Sequence, residues 1–152
     1  MDKGIYCLVF ANPGCTVTVG RLGPVAFPAG WHVYTGSALG SGGLARLDRH
    51  ITLARNHDRR PTWHVDYLTA AGPFSLRAAV SAATTERLEC ALARSIGGPS
   101  VPGFGCSDCS CTSHLFFRPD RPVREVARAF RSLGLDPRIQ NLKNPLHRKD
   151  SP

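Results

Sequence analysis

The chain has 152 residues, 19 lysines and arginines against 11 aspartates and glutamates, and a formal net charge of +8. That length suits one domain with a self-sufficient core, and 42% hydrophobic with 20% charged residues excludes general disorder, a collagen-like rod and a coiled coil. No apolar run approaches the roughly 20 residues that cross a bilayer, and Met1-Asp2-Lys3-Gly4 leads into a strand-like run rather than a signal peptide, so a cytoplasmic protein without membrane contact is expected.

Gly4 to Phe10 (GIYCLVF) is apolar, β-branched and aromatic, and Asn12-Pro13-Gly14 ends it, which reads as a buried strand and a turn. Thr16 to Val19 alternates and is followed by Gly20 to Gly23 and Val25-Ala26-Phe27, the pattern of a hairpin. Trp31 to Gly36 is a further strand. The run Gly40-Ser41-Gly42-Gly43 feeds a helix whose Leu44, Leu47, Ile51 and Ala54 share one face, with Arg46 and His50 four apart on another. Residues 56 to 61 form a polar loop, and Trp63 to Ala70 is an ordered element of either type. Phe74 to Ala82 alternates as a strand. Thr84 or Thr85 caps an expected helix from Glu86 to Ile96, stopped by Gly97-Gly98. A Gly, Cys and Ser-rich loop covers 97 to 113, His114 to Phe117 is a short strand, and Val123 to Leu133 is the last helix. The expected architecture is a mixed α/β (α+β) domain, a small central antiparallel or mixed sheet flanked by helices, with an extra β-hairpin.

Sixteen of the nineteen cations are arginines, whose planar forks match phosphate bidentately, although a coding bias from lysine to arginine produces the same composition. Nine basic and four acidic residues fall between Arg118 and Pro152. That segment reads as an electrostatic footprint for nucleic acid or as a solvated helix with a basic tail.

Phosphodiester hydrolysis needs a group to activate or orient water, cations to neutralise the phosphate, and usually a carboxylate-held divalent metal. Tyr6, Tyr34, Arg46, His50 and Glu89 supply these types, though each taken singly also reads as core packing or a solvated helix face. Gly4-Ile5-Tyr6 and Tyr34-Thr35-Gly36, about thirty residues apart and followed by Arg46-x-x-x-His50, resemble the GIY-YIG nuclease superfamily. VGRLG (19–23), VYTGSA (33–38), RLDRH (46–50), WHVDYL (63–68) and GFGCSDCSCTSHLFF (103–117) are similar to a small prokaryotic branch of it, members of which also occur fused to endonuclease III-type glycosylases.

The resemblance covers roughly residues 3 to 117 and divides the chain into a GIY-YIG-like nuclease domain, 1–117, and a basic C-terminal helix and tail, 118–152. It implies a metal-dependent DNA endonuclease of DNA repair or processing, with DNA and a DNA-repair protein as partners. Tyr6 would activate or position the attacking water with Tyr34 hydrogen-bonded beside it. Arg46 would stabilise phosphate charge, His50 would assist proton transfer, and Glu89 would hold one Mg2+ or Mn2+, a hard ion suited to carboxylate and water. Glu86 competes, but a place in the first helical turn explains it through the helix dipole. Arg49, Arg124 and Arg128 are expected to meet nucleic acid. At one point the pattern departs: nucleases of this superfamily usually carry an Asn twelve to fifteen residues after the glutamate, and Val101 to Phe104 holds none. The alternative is a non-catalytic nucleic-acid-binding module with an incomplete site.

Cys106, Cys109, Cys111 and His114, as C-x2-C-x-C-x2-H, have the chemistry of a tetrahedral Zn2+ site, or else belong to a structural loop of small packed cysteines. A zinc-stabilised protein-interaction domain is therefore a third class. Disulfides are the least expected reading in a reducing compartment. In Trp63-His64-Val65-Asp66-Tyr67, His64 and Asp66 either orient a proton carrier or fix the loop, and Trp63 and Tyr67 are expected to pack under the sheet edge. Gly40 to Gly43 before a helix invites an anion cradle of backbone N–H groups.

Overall fold

In the computed structural model, residues 2–56, 63–105 and 112–142 are described. Ile5 to Phe10 is buried without interruption because β1 (Gly4–Asn12) is the central strand of its sheet and both faces of that sheet are covered. Such a strand has no solvent side and reads as one continuous apolar run rather than an alternation. β1 is followed by the hairpin β2 (Cys15–Thr18) and β3 (Pro24–Phe27), joined by a 3-10 turn at Gly20–Leu22. The chain then returns as β4 (Gly30–Ala38), antiparallel to β1 with Tyr6 opposite Gly36 and Leu8 opposite Tyr34.

α1 (Ala45–Asn56) and α2 (His64–Ala70) come next, then β5 (Ser75–Ala83), which pairs with the other edge of β1 and carries a register shift at Val9/Phe10. α3 (Glu89–Ile96), β6 (Leu115–Arg118), α4 (Val123–Ser132) and β7 (Arg138–Asn141) complete the fold. The five-stranded sheet runs β6-β4-β1-β5-β7, antiparallel throughout.

Strand periodicity divides the core in two. Tyr6, Leu8 and Phe10 point to one face and pack with the hairpin, α1 and α2 through Val19, Phe27, Leu47, Ile51, Val65 and Leu68. Ile5 and Cys7 point to the other and pack with Leu92 and Ile96 of α3 and Val126 and Phe130 of α4. The hydrophobic period expected for the helix after Gly43 is thus used as read, with Leu47 and Ile51 buried.

One expectation is corrected, one open alternative is resolved, and one strand is added. The helix assigned to Glu86–Ile96 begins at Glu89: Thr84 Oγ1 accepts the Glu86 N–H and closes a local turn outside the helix, so neither threonine caps it. The element at 63 to 70, left open between helix and strand, is α2. β7, Arg-Ile-Gln-Asn, was not foreseen, because a polar edge strand held by backbone pairing to β5 carries no hydrophobic period, and Ile139 is exposed. Residues 118 to 142 are built into the same sheet and core, so the packing runs across the boundary expected at 117.

Candidate active site

The Tyr6 ring lies flat across Gly36 on the neighbouring strand. A Cβ at that glycine would stand 2.5 Å from Tyr6 Cζ and 2.6 Å from its hydroxyl, so the second motif must end in glycine for the tyrosine of the first to lie there. The hydroxyl is 2.9 Å from His50 Nε2, reached from α1. Burial holds the Tyr6 phenol well above its ordinary pKa, and the neighbouring Tyr34, Asp66 and Glu89 reinforce this while Arg46 opposes it. Of the expected set, His50 thus meets Tyr6 directly, while Tyr34, Arg46 and Glu89 act on the phenol electrostatically.

His50 is fully buried, and burial lowers its pKa to about 4 against the pull of Asp66, so the imidazole is neutral near pH 7. Its Nδ1 faces Asp66 Oδ1 at 3.7 Å. A carboxylate on that side favours the Nδ1–H tautomer, leaving Nε2 to accept from the Tyr6 hydroxyl. Asp66 is itself buried and gripped: Arg49 donates through Nη1 and Nη2 at 3.3 and 3.2 Å, and the Trp63 N–H at 3.0 Å. The order Tyr6, His50, Asp66, Arg49 is a hydrogen bond, a 3.7 Å electrostatic contact in which His50 Nδ1 makes no hydrogen bond among the described residues, and an ion pair.

Asp66, expected either to orient a proton carrier or to fix the loop, does face an imidazole, but not that of its sequence neighbour. Its partner is His50, sixteen residues back on another helix, rather than His64, two residues away. His64 instead accepts the Gly105 N–H on Nδ1 at 2.9 Å and stacks near Phe104, which in turn lies against Tyr34. Gly105, at a φ of +71°, passes so near the Tyr34 ring that a Cβ would sit 3.1 Å from Cε1. Trp63 is also corrected: it does not pack under the sheet edge but stays 37% exposed against α1, while Tyr67 lies beside Gly20.

The exposed side of the site is formed by half-buried groups. Tyr34 is one. Arg46 is another, with Nη1 donating to Ser37 O at 2.8 Å where β4 has run past its pairing with β6. Glu89 is the third, at the first position of α3 rather than one turn inside it. Arg49, expected to meet nucleic acid, has its guanidinium committed to Asp66. Arg124 and Arg128 are exposed on α4, across the sheet from Tyr6 and His50.

Of the expected Zn2+ set, Cys106, Cys109 and Cys111 lie outside the described residues. His114 is buried, which lowers its pKa, and its Nε2 is 3.6 Å from Cys90 Sγ. Cys90 is disulfide-bonded, against the expectation of free thiols, while Cys7 and Cys15 are free. Among the described residues no cluster of three metal-ligating side chains occurs. The glycine run is not an anion cradle: the N–H groups of Gly43, Leu44, Ala45 and Arg46 are spent on carbonyls of Gly40, Asp2, Gly42 and Gly43. Asn12 does not replace the missing asparagine, since its side chain donates to Pro28 O and His32 Nδ1 near the far end of β1. No helix among the described residues is long and apolar enough to cross a membrane.

Comparison with known proteins gives one family: DUF123, a domain of unknown function, matches residues 5–135. No curated protein and no solved structure matches the chain.

Proposed function

We propose that this chain, which belongs to the DUF123 family, is a metal-dependent DNA endonuclease that resembles the GIY-YIG nucleases and acts in DNA repair or processing. The observation that carries the reading is the hydrogen bond from Tyr6 to a neutral, buried His50, whose phenol partner also feels the charges of Tyr34, Arg46 and Glu89. Water adds to phosphorus and one P–O ester bond breaks. The proton released by the water passes to the Tyr6 oxygen as Tyr6 gives its own to His50 Nε2, and the leaving oxygen is protonated from solvent. Asp66 keeps the imidazole in the accepting tautomer and stabilises the imidazolium. Arg46 neutralises charge on the phosphate oxygens.

Glu89, a half-buried carboxylate, has the chemistry for a divalent ion, whereas Asp66 is bound to Arg49 and the Trp63 N–H. A single carboxylate completed by waters and substrate phosphate suits Mg2+ or Mn2+. When bound, the ion supplies further neutralisation of the phosphate.

The test is cleavage of supercoiled, flapped and branched DNA with Mg2+ or Mn2+. Glu89→Ala is expected to lose roughly 100-fold or more in rate while keeping its DNA affinity. Equal activity of the two proteins on every substrate overturns the reading. A second reading, a binding module without catalysis, is favoured by the 2% exposure of Tyr6. Salt-dependent DNA binding by the wild type with no cleavage under any metal would select it.

A further inference from the structure

The Trp63 side chain has no part in the proton transfer proposed for Tyr6 and His50, yet it is one of two large apolar side chains left exposed among the described residues. Its ring meets Arg46 at 4.8 Å, Arg49 at 4.4 Å and the His50 ring at 5.8 Å. These three are at i, i+3 and i+4 of α1 and so share one helix face. The indole lies against that face and is 37% exposed. Capping does not explain the side chain, since it is the backbone N–H of Trp63 that Asp66 binds. The guanidiniums hold the ring in a fixed attitude through cation–π attraction, Arg49 being itself clamped by Asp66 and Arg46 by the Ser37 carbonyl. An immobilised, solvent-facing indole flanked by arginines is the arrangement on which an unpaired base stacks, whereas a base inside a duplex has no free face to offer.

We propose that Trp63 is a stacking platform for an unpaired nucleobase, so that the substrate of this site is DNA with single-stranded character, a flap, bubble or open end, rather than uninterrupted duplex. The proposal rests on the nuclease reading for its placement: Trp63 touches His50, the residue bonded to Tyr6, so a base on the indole puts its own or an adjacent phosphate beside Arg46.

The experiment measures binding without metal, in EDTA, to an oligothymidylate, a flapped duplex and a blunt duplex of equal length. The full-length protein carries Trp31→Phe so that Trp63 is the only tryptophan. Oligothymidylate and flap are expected to quench its emission, and the blunt duplex is not. By anisotropy, Trp63→Ala in the otherwise natural chain is expected to lose about tenfold or more in affinity for the two single-stranded probes and less than twofold for the duplex, with Trp63→Phe recovering most of the loss. Absence of quenching by the single-stranded probes, or an equal effect of Trp63→Ala on all three, overturns the proposal. If Trp63→Ala does not fold, the quenching arm and Trp63→Phe decide alone. The two readings fail separately. Selective quenching in a protein that never cleaves keeps the platform and removes the nuclease. Cleavage of duplex and flap alike, unchanged in Trp63→Phe and with no quenching, keeps the nuclease and removes the platform.

Discussion

Gly36 and Asp66 show how single positions set the site. In Gly36→Ala the new methyl displaces the Tyr6 ring, whose hydroxyl then leaves His50. Overpacking of a full core costs about 1–3 kcal/mol, so a lower urea midpoint is expected together with loss of cleavage. A variant as stable as the wild type would show that the ring does not occupy that space. Asp66→Asn keeps the shape but removes the charge that faces His50 Nδ1 and holds Arg49. Breaking a charge-assisted pair costs about 1.5–3 kcal/mol. If Asp66 is a positioning residue, kcat should fall more than KM rises, and Asp66→Glu should recover part of it. Of this group, the contact of Tyr6 with His50 joins two residues that the family resemblance singled out. Asp66 was named in the sequence beside His64, but its partner His50 lies on another helix, and only the docking of α2 on α1 brings them together.

At the scale of elements, Arg118 fastens three pieces. Its guanidinium donates to Glu125 of α4 at 2.8 and 2.9 Å, to Ile96 O at the end of α3 at 2.6 Å, and to Phe117 O in β6 at 2.9 Å. The hydrogen bond from Arg118 is the main cause of a lowered Glu125 pKa. The pair thus adds stability above the ordinary carboxylate range, and that stability is lost as pH falls through the lowered value. Arg118→Lys is expected to lower the urea midpoint nearly as much as Arg118→Ala, since the three donors of an ammonium sit on one nitrogen and cannot reach partners that Nε, Nη1 and Nη2 meet from separate positions. Full recovery in the lysine variant would refute the clamp. β1, as one apolar run, β4, and the helices α1 and α4 were readable in sequence. The start of α3 and the whole of β7 were not: a threonine turn imitates a cap in the first, and backbone pairing replaces side-chain burial in the second.

For the whole molecule, buried neutral histidines set the response to acid. Burial takes His32 and His50 from 6.5 to about 4 and also lowers His114. The unfolded chain therefore binds protons that the native state refuses. Stability is full above pH 6.5, declines between 6.5 and 4, and changes no further on this account once both states are protonated. The expected loss is on the order of 3 kcal/mol each for His32 and His50. Urea melts at pH 7 and 5 capture about 2 kcal/mol of it for each histidine, and His32→Phe should flatten part of the slope; an unchanged slope would mean that His32 charges in the native state.

The central position of β1 has a consequence for how the protein breathes. Backbone amides of Ile5 to Phe10 are paired between β4 and β5 under two covered faces. Local fluctuations that fray an edge such as β7 leave them untouched, so deuterium should enter at Tyr6 only when the whole domain opens. On the proposed nuclease reading, the Tyr6 hydroxyl carried on this strand is lost only with the fold itself. Cleavage activity and the tertiary fold should therefore disappear in one transition along a denaturant series.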